Sequence, residues 1–145
     1  MREESTTPDP LETARRSLEA FNRRDLDAAI DMWAPDAVWE LAPDRMGLFE
    51  MKPPTGHAVI RKLWEEYPAA FDDFQLAIEE AHALSNGVTF HVVVERGRPR
   101  GGSGLLERHY GFVATWRDGQ IARAKNYLDI DEARAAAERL AKERG

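Results

Sequence analysis

The side chains able to do chemistry in this sequence gather in its second half, on what read as consecutive strands. Glu80 and His82 flank Ala81, Arg96 and Arg98 flank Gly97, Arg108 and Tyr110 flank His109, and Asn126 stands near the end of the last strand. An imidazole titrates close to neutrality, so His82 is the general-base candidate, with Glu80 beside it able to orient it or move a proton itself. Tyr110 and Asn126 both donate and accept hydrogen bonds, which suits them to orienting a ligand. Arg96, if it enters a cavity, requires an acid or an anionic ligand, because an unpaired guanidinium is costly inside a protein. The catalytic candidates are therefore His82, Glu80, Tyr110 and Arg96. His91 and His109 are expected together on the opposite face; lacking a third and fourth ligand, they give no reason to expect a metal. No GxGxxG, P-loop, HExxH or GxSxG pattern is present, so no cofactor is expected either. The absence of Cys removes thiolate catalysis and disulfides together.

These residues depend on strands for their positions. Arg117-Asp118-Gly119 predicts a three-residue hairpin loop, pairing Trp116 with Gln120 and Tyr110 with Asn126, so that even-numbered residues of both strands share a face. Ser85-Asn86-Gly87 predicts another, placing Phe74, Leu76 and Ile78 on the face of Phe90, Val92 and Val94. The inner face then carries Trp39, Leu41, Val92, Val94, Arg96, Arg98, Arg108, Tyr110, Phe112, Trp116 and Asn126, with Trp33 and Trp64 arriving from helices. That is an aromatic cleft with a cationic rim. The ligand-binding set read from it is Trp33, Trp39, Trp64, Arg96, Tyr110, Phe112 and Asn126. Each has a plainer reading: aromatics at matching periodicity pack as core, arginines snorkel to water, and Tyr110 with Asn126 forms a structural cross-strand bond.

Earlier elements close the cleft. Asp9-Pro10-Leu11-Glu12 opens a helix with Leu11, Ala14, Leu18 and Phe21 on one face, running to about Arg23. Asp25 caps a short second helix of Leu26, Ala29, Ile30 and Trp33 that Pro35 ends, and Ala37 to Leu41 is a strand. Residues 42–55, with three prolines among Met46, Leu48, Phe49 and Met51, read as an apolar loop suited to a lid. Ile60, Leu63, Trp64 and Tyr67 mark a third helix stopped by Pro68, with His57 facing solvent at its start, and Asp129 with Glu132 opens an Ala-rich C-terminal helix. Residues 1–8 are a disordered lead-in and 9–145 one domain.

Twenty Lys and Arg against 26 Asp and Glu leave a net charge of -6, which disfavours nucleic acid as a partner. No apolar run approaches a membrane span and no signal-peptide core is present, so no membrane partner is expected and the cytoplasm is the expected location.

Helix, helix, strand, helix, four antiparallel strands and a helix make an α+β order, with a strongly bent, mostly antiparallel sheet and helices enclosing a cone-shaped pocket. Ala20-Phe-Asn-Arg-Arg-Asp-Leu-Asp-Ala28, Trp33-Ala-Pro-Asp-Ala-Val-Trp39, Gly56-His-Ala-Val-Ile60 and Trp116-Arg-Asp-Gly-Gln-Ile121 with Tyr127-Leu-Asp129 make the chain resemble the SnoaL-like branch of the nuclear transport factor 2-like superfamily. The resemblance implies the cone but not the chemistry, because the superfamily hosts isomerases, cyclases, hydrolases and noncatalytic binders. Positions matching the acid–base set of limonene epoxide hydrolase are Trp39, Leu41, Arg96, Arg98 and Asn126, of which Arg96 alone keeps the expected type. Those matching ketosteroid isomerase are Ser17, Phe112 and Leu41, and none can play the expected role. Two readings result: a pocket for a small, largely apolar molecule that can carry a carboxylate, with isomerase, cyclase or hydrolase chemistry, or a noncatalytic ligand-binding or dimerisation module. The resemblance also implies a homodimer through the convex face, read as Thr89, His91, Val93, Glu95, His109, Gly111, Val113 and Thr115.

Overall fold

A computed structural model describes residues 9–41, 54–102 and 104–144. Helices α1 (Pro10–Asn22) and α2 (Leu26–Ile30) precede strand β1 (Trp33–Glu40), and α3 (His57–Glu66) leads through a 3-10 turn at Pro68–Ala70 into β2 (Phe71–Ala83). Strands β3 (Val88–Pro99), β4 (Leu106–Arg117) and β5 (Gln120–Tyr127) follow, and α4 (Ile130–Arg144) ends the chain. The five strands form one sheet in the order β1-β5-β4-β3-β2, antiparallel except where β1 runs parallel to β5. This is the expected α+β architecture. The proposed lid at Met46, Leu48, Phe49 and Met51 and the lead-in at 1–8 lie outside the described residues.

Local chemistry starts the helices where the sequence predicts. Asp9 accepts from the Leu11 N–H, Asp25 from that of Ala28 and Asp129 from that of Glu132. Glu12 does not complete a capping box; Arg15 and Arg16 take its carboxylate instead. Trp33 is a correction: it belongs to β1, not α2. Pro35 is tolerated in that strand because it falls where the β1–β5 register breaks, on an edge strand. On the other edge, Asn22 stands in for a missing neighbour strand, its amide donating to the Leu76 carbonyl (2.8 Å) and accepting from the Leu76 N–H (3.0 Å).

The registers decide which side chains meet. Ser85-Asn86-Gly87 is the three-residue loop expected, with the Leu84 N–H on the Val88 carbonyl (2.8 Å), but β2 bulges between Ile78 and Glu80. The extra residue turns Leu76 and Ile78 to the face of Glu95 and Val93 and sends Glu80 and His82 to the opposite one. The second hairpin is tighter than expected: Arg117 pairs with Gln120 around Asp118-Gly119, both at positive φ (55° and 82°), and a shift beyond Trp116 sets Asn126 opposite Phe112. Tyr110 and Asn126 keep a common face two residues out of step. The largest correction lies between β3 and β4, where Glu95 pairs with Arg108, Val93 with Tyr110 and His91 with Phe112. Odd residues of β3 thus share a face with even residues of β4, so Val92, Val94, Arg96 and Arg98 leave the inner face.

Helices cover both sides of the sheet. Helices α1–α3 enclose the inner face, around a core that includes Trp33, Trp39, Ile60, Phe112 and Trp116. The outer face buries Val88, Phe90, Val92 and Val113 against Ala133, Ala137 and Ala141 of α4. The strip expected to form a homodimer is therefore not one surface. Thr89, His91, Val93 and Glu95 turn inward, whereas Gly111 and Val113 lie under α4. Gly111 lets that helix approach: a Cβ there would stand 2.3 Å from that of Ala133. Gly111→Ala should accordingly destabilise the domain by about 1–3 kcal/mol, seen as a lower urea midpoint at an unchanged slope. An unchanged midpoint would contradict this packing.

Candidate functional site

The inner face and the helices enclose two adjoining cavities of about 70 Å³ each, sharing Phe21, Trp39, Trp64, Leu76 and Tyr110 as walls. Trp64, carried on α3, and Trp33 and Trp39, six residues apart on β1, form a triangle of indoles with ring centroids 5.2, 6.3 and 6.5 Å apart. Phe112 meets Trp33 edge-on at 6.1 Å and Phe21 meets Trp64 at 5.7 Å. Such tilted contacts add to plain burial and give the cavities flat aromatic walls. Each cavity has room for several water molecules.

The outer cavity carries the polar groups. Glu95, Arg108, Tyr110 and Asn126 all line it, together with Tyr67, which caps the end of α3 where Pro68 turns the chain. Glu95 is only 6% exposed, and the Tyr67 hydroxyl donates to its Oε1 at 3.1 Å. Arg108 stands directly opposite it in the strand ladder. Trp39 Nε1 donates to Asn126 Oδ1 at 3.0 Å; since an indole N–H can only donate, this contact fixes which way the Asn126 amide faces and leaves its NH₂ for another acceptor. A carboxylate, a guanidinium, two phenols and an amide thus surround one small apolar space. Together they can accept a proton and stabilise negative charge on an oxygen.

The inner cavity is less polar, lined by Trp33, Trp39, Trp64, Phe112 and Ile78, with His91 in its wall. His91 is 1% exposed, and neither of its ring nitrogens meets a hydrogen-bond partner among the described residues; the same holds for Trp33 Nε1. Burial pushes the imidazole pKa down to about 4, with a smaller contribution from His82 across the sheet, so His91 is neutral at physiological pH.

The model of the SnoaL-like domain matches residues 14–124, most of the chain. The protein belongs to that family. Three solved structures show how widely the cone is shared. IdmH, a proposed polyketide cyclase from Streptomyces antibioticus, is 25% identical, with 90% of this chain and 99% of that one covered at a TM-score of 0.70. TerC, co-crystallised with polyporic acid, is 21% identical over 89% and 98% at 0.70. A Mycobacterium tuberculosis protein in complex with estradiol-17β-hemisuccinate is 19% identical over 86% and 96% at 0.67. No curated protein matches the sequence.

In this SnoaL-like domain the two cavities bring together Trp33, Trp39, Trp64, Tyr110, Phe112 and Asn126 from the expected ligand-binding set. Arg96 is not among them. It lies half-exposed on the outer face, Nε on Glu107 Oε1 at 2.8 Å, and Arg98 sits exposed 3.8 Å from Asp73. Arg108 is the arginine that reaches the pocket. His82 and Glu80 are also corrections: they bond to each other on the outer face, where His82 stacks on Phe90 and Arg134 of α4 holds Glu80, so neither reaches Tyr110. His109 likewise faces out, toward Glu79 at 3.3 Å. Trp116 is core, its Nε1 donating to Thr89 Oγ1 at 2.8 Å. His57, expected in solvent, is half-buried with Nε2 on the Trp33 carbonyl at 2.6 Å. Among the described residues no three His, Asp or Glu converge as metal ligands, and no helix is long and apolar enough to cross a membrane.

Glu95, Tyr67 and His91 are the site residues that sequence reasoning missed. The available signal was Gly111 with the alanines of α4: a small-residue contact of that kind demands a second covered face, which takes Phe90, Val92 and Val113 and leaves the odd positions of β3 for the pocket.

His91 has a measurable consequence. Its folded pKa lies below the ordinary 6.5, so between about pH 6.5 and 4 the unfolded chain binds the extra proton and stability falls as pH falls. Relative to His91→Phe, the wild-type protein should lose on the order of 3 kcal/mol across that window, as read by urea unfolding at stepped pH. Parallel profiles for the two proteins would contradict a buried neutral imidazole.

Proposed function

We propose that this SnoaL-like domain binds a small, largely apolar carbonyl compound and catalyses its isomerisation or cyclisation by moving a proton from the carbon beside the carbonyl. Glu95 accepts the proton, while Arg108, Tyr110 and the Asn126 NH₂ serve the oxygen on which enolate charge develops. The observation that carries this reading is the placement of the Glu95 carboxylate, buried and held by Tyr67, on the wall of an aromatic cavity. A purely storage pocket gains nothing from a buried acid, which lowers stability unless something else requires it. Two of the similar structures were solved with small organic molecules, which supports the binding half of the proposal.

Exchange of the α-protons of 2-tetralone in D₂O, followed by NMR, tests the chemistry with a simple apolar ketone. The wild-type protein should accelerate exchange, and Glu95→Gln, which keeps the side-chain shape, should lower the acceleration by about 10²–10⁴-fold without a comparable loss of binding. Binding without acceleration would leave a noncatalytic ligand carrier. No binding would remove both halves.

The walls make a second expectation. Trp64 lines both cavities and Trp116 lines neither, so Trp64→Ala should weaken 2-tetralone binding more than Trp116→Ala does. Equal or reversed losses in calorimetric titration would contradict the assignment of the pocket.

A further inference from the structure

We infer that the inner cavity is a second recognition site, in which His91 and Trp33 bind a neutral hydroxyl group at the buried end of the ligand. The inference rests on the binding half of the reading above and names the chemistry of the ligand's far end. Three buried nitrogen atoms, both of His91 and Nε1 of Trp33, lack partners among the described residues, and both residues line the same cavity. Phe112 neighbours both in the same cavity wall, its ring centroid 6.0 Å from that of His91 and 6.1 Å from that of Trp33. A buried polar group with no partner has lost its bonds to water without replacing them, which is destabilising. Two side chains in one small aromatic chamber therefore point to a group that satisfies both when bound.

The chemistry of the three nitrogens selects that group. Neutral imidazole offers one N–H donor and one acceptor nitrogen, and indole offers a donor only. A hydroxyl accepts from an N–H while donating its own proton to the acceptor nitrogen. A ketone leaves the acceptor nitrogen unserved. A carboxylate or an ammonium meets a dry aromatic wall and an imidazole that burial keeps uncharged. The ligand so described has an oxygen function at Glu95 and Arg108, a flat apolar body against the indoles and a hydroxyl at the far end.

Calorimetric titration with 2-naphthol and 2-methylnaphthalene tests this, because the two differ only by a hydroxyl in place of a methyl of similar size. The wild-type protein should bind 2-naphthol at least about ten-fold more tightly, and His91→Phe should abolish that preference while still binding 2-methylnaphthalene. Ring ¹⁵N resonances of His91 in the unmodified protein give a second readout, independent of the variant's folding: they should shift with 2-naphthol and not with 2-methylnaphthalene. Equal binding of the two probes overturns the inference and leaves the apolar-pocket reading standing. A preference that survives His91→Phe and disappears in Glu95→Gln puts the hydroxyl in the outer cavity and also overturns it. If neither probe binds, the pocket reading fails and the inference falls with it.

Discussion

The pairing of β3 with β4 is the constraint on which this site depends. Every residue from Val88 to Glu95 is buried, because β3 is covered by helices on both faces. One hydrogen-bonded ladder therefore sorts eight consecutive buried side chains between the cavity side of the sheet and the α4 side. As built, Glu95 and His91 face the chamber, while Phe90 and Val92 pack under α4. A slip of one residue would press the Glu95 carboxylate and the imidazole against alanines and line the chamber with Phe90 and Val92 instead. Gly111 under Ala133 and the Trp116–Thr89 hydrogen bond both fit the observed register alone.

Curvature is the second requirement, and it comes from irregularities in the strands. The bulge at Ile78/Glu80, the shift beyond Trp116 and the break around Pro35 each bend or twist a strand locally. They also re-aim side chains. Without the β2 bulge, Glu80 and His82 would share the face of Leu76 and Ile78; with it, they become part of the α4 interface. The Asn22 amide then completes the exposed edge of β2 and ties α1 to the strand at the level of the cavity, so one interaction serves both edge protection and pocket closure.

The chamber is divided along its length by polarity. At its outer end Glu95 is bonded by Tyr67 and faced by Arg108 across the ladder, which puts opposite formal charges beside one small cavity. At its inner end Trp33 Nε1 and both ring nitrogens of His91 are buried and meet no partner among the described residues. Among the described residues, the buried side-chain nitrogens that depart from the rule that buried polar groups are paired all belong to residues lining this one chamber.

The sequence by itself determined the element order, the helix starts at Asp9, Asp25 and Asp129, the Ser85-Asn86-Gly87 loop and the aromatic identity of the pocket, because capping, turn chemistry and periodicity are local. Trp39, Trp64, Tyr110, Phe112 and Asn126 were legible as inward residues for the same reason: β1, α3, β4 and β5 each show one apolar face. What the tertiary structure alone decided was the content of β3 and the end of β2. A strand buried on both faces has no alternation from which to read its inner side, and the number of residues between β3 and β4 does not define the parity of the strands they join. A bulge is a single extra residue whose benefit lies in a sheet not yet assembled. Arg96, Glu80 and His82 therefore read as site residues and are surface ion pairs, whereas Glu95 and His91 read as a convex strip and stand in the chamber.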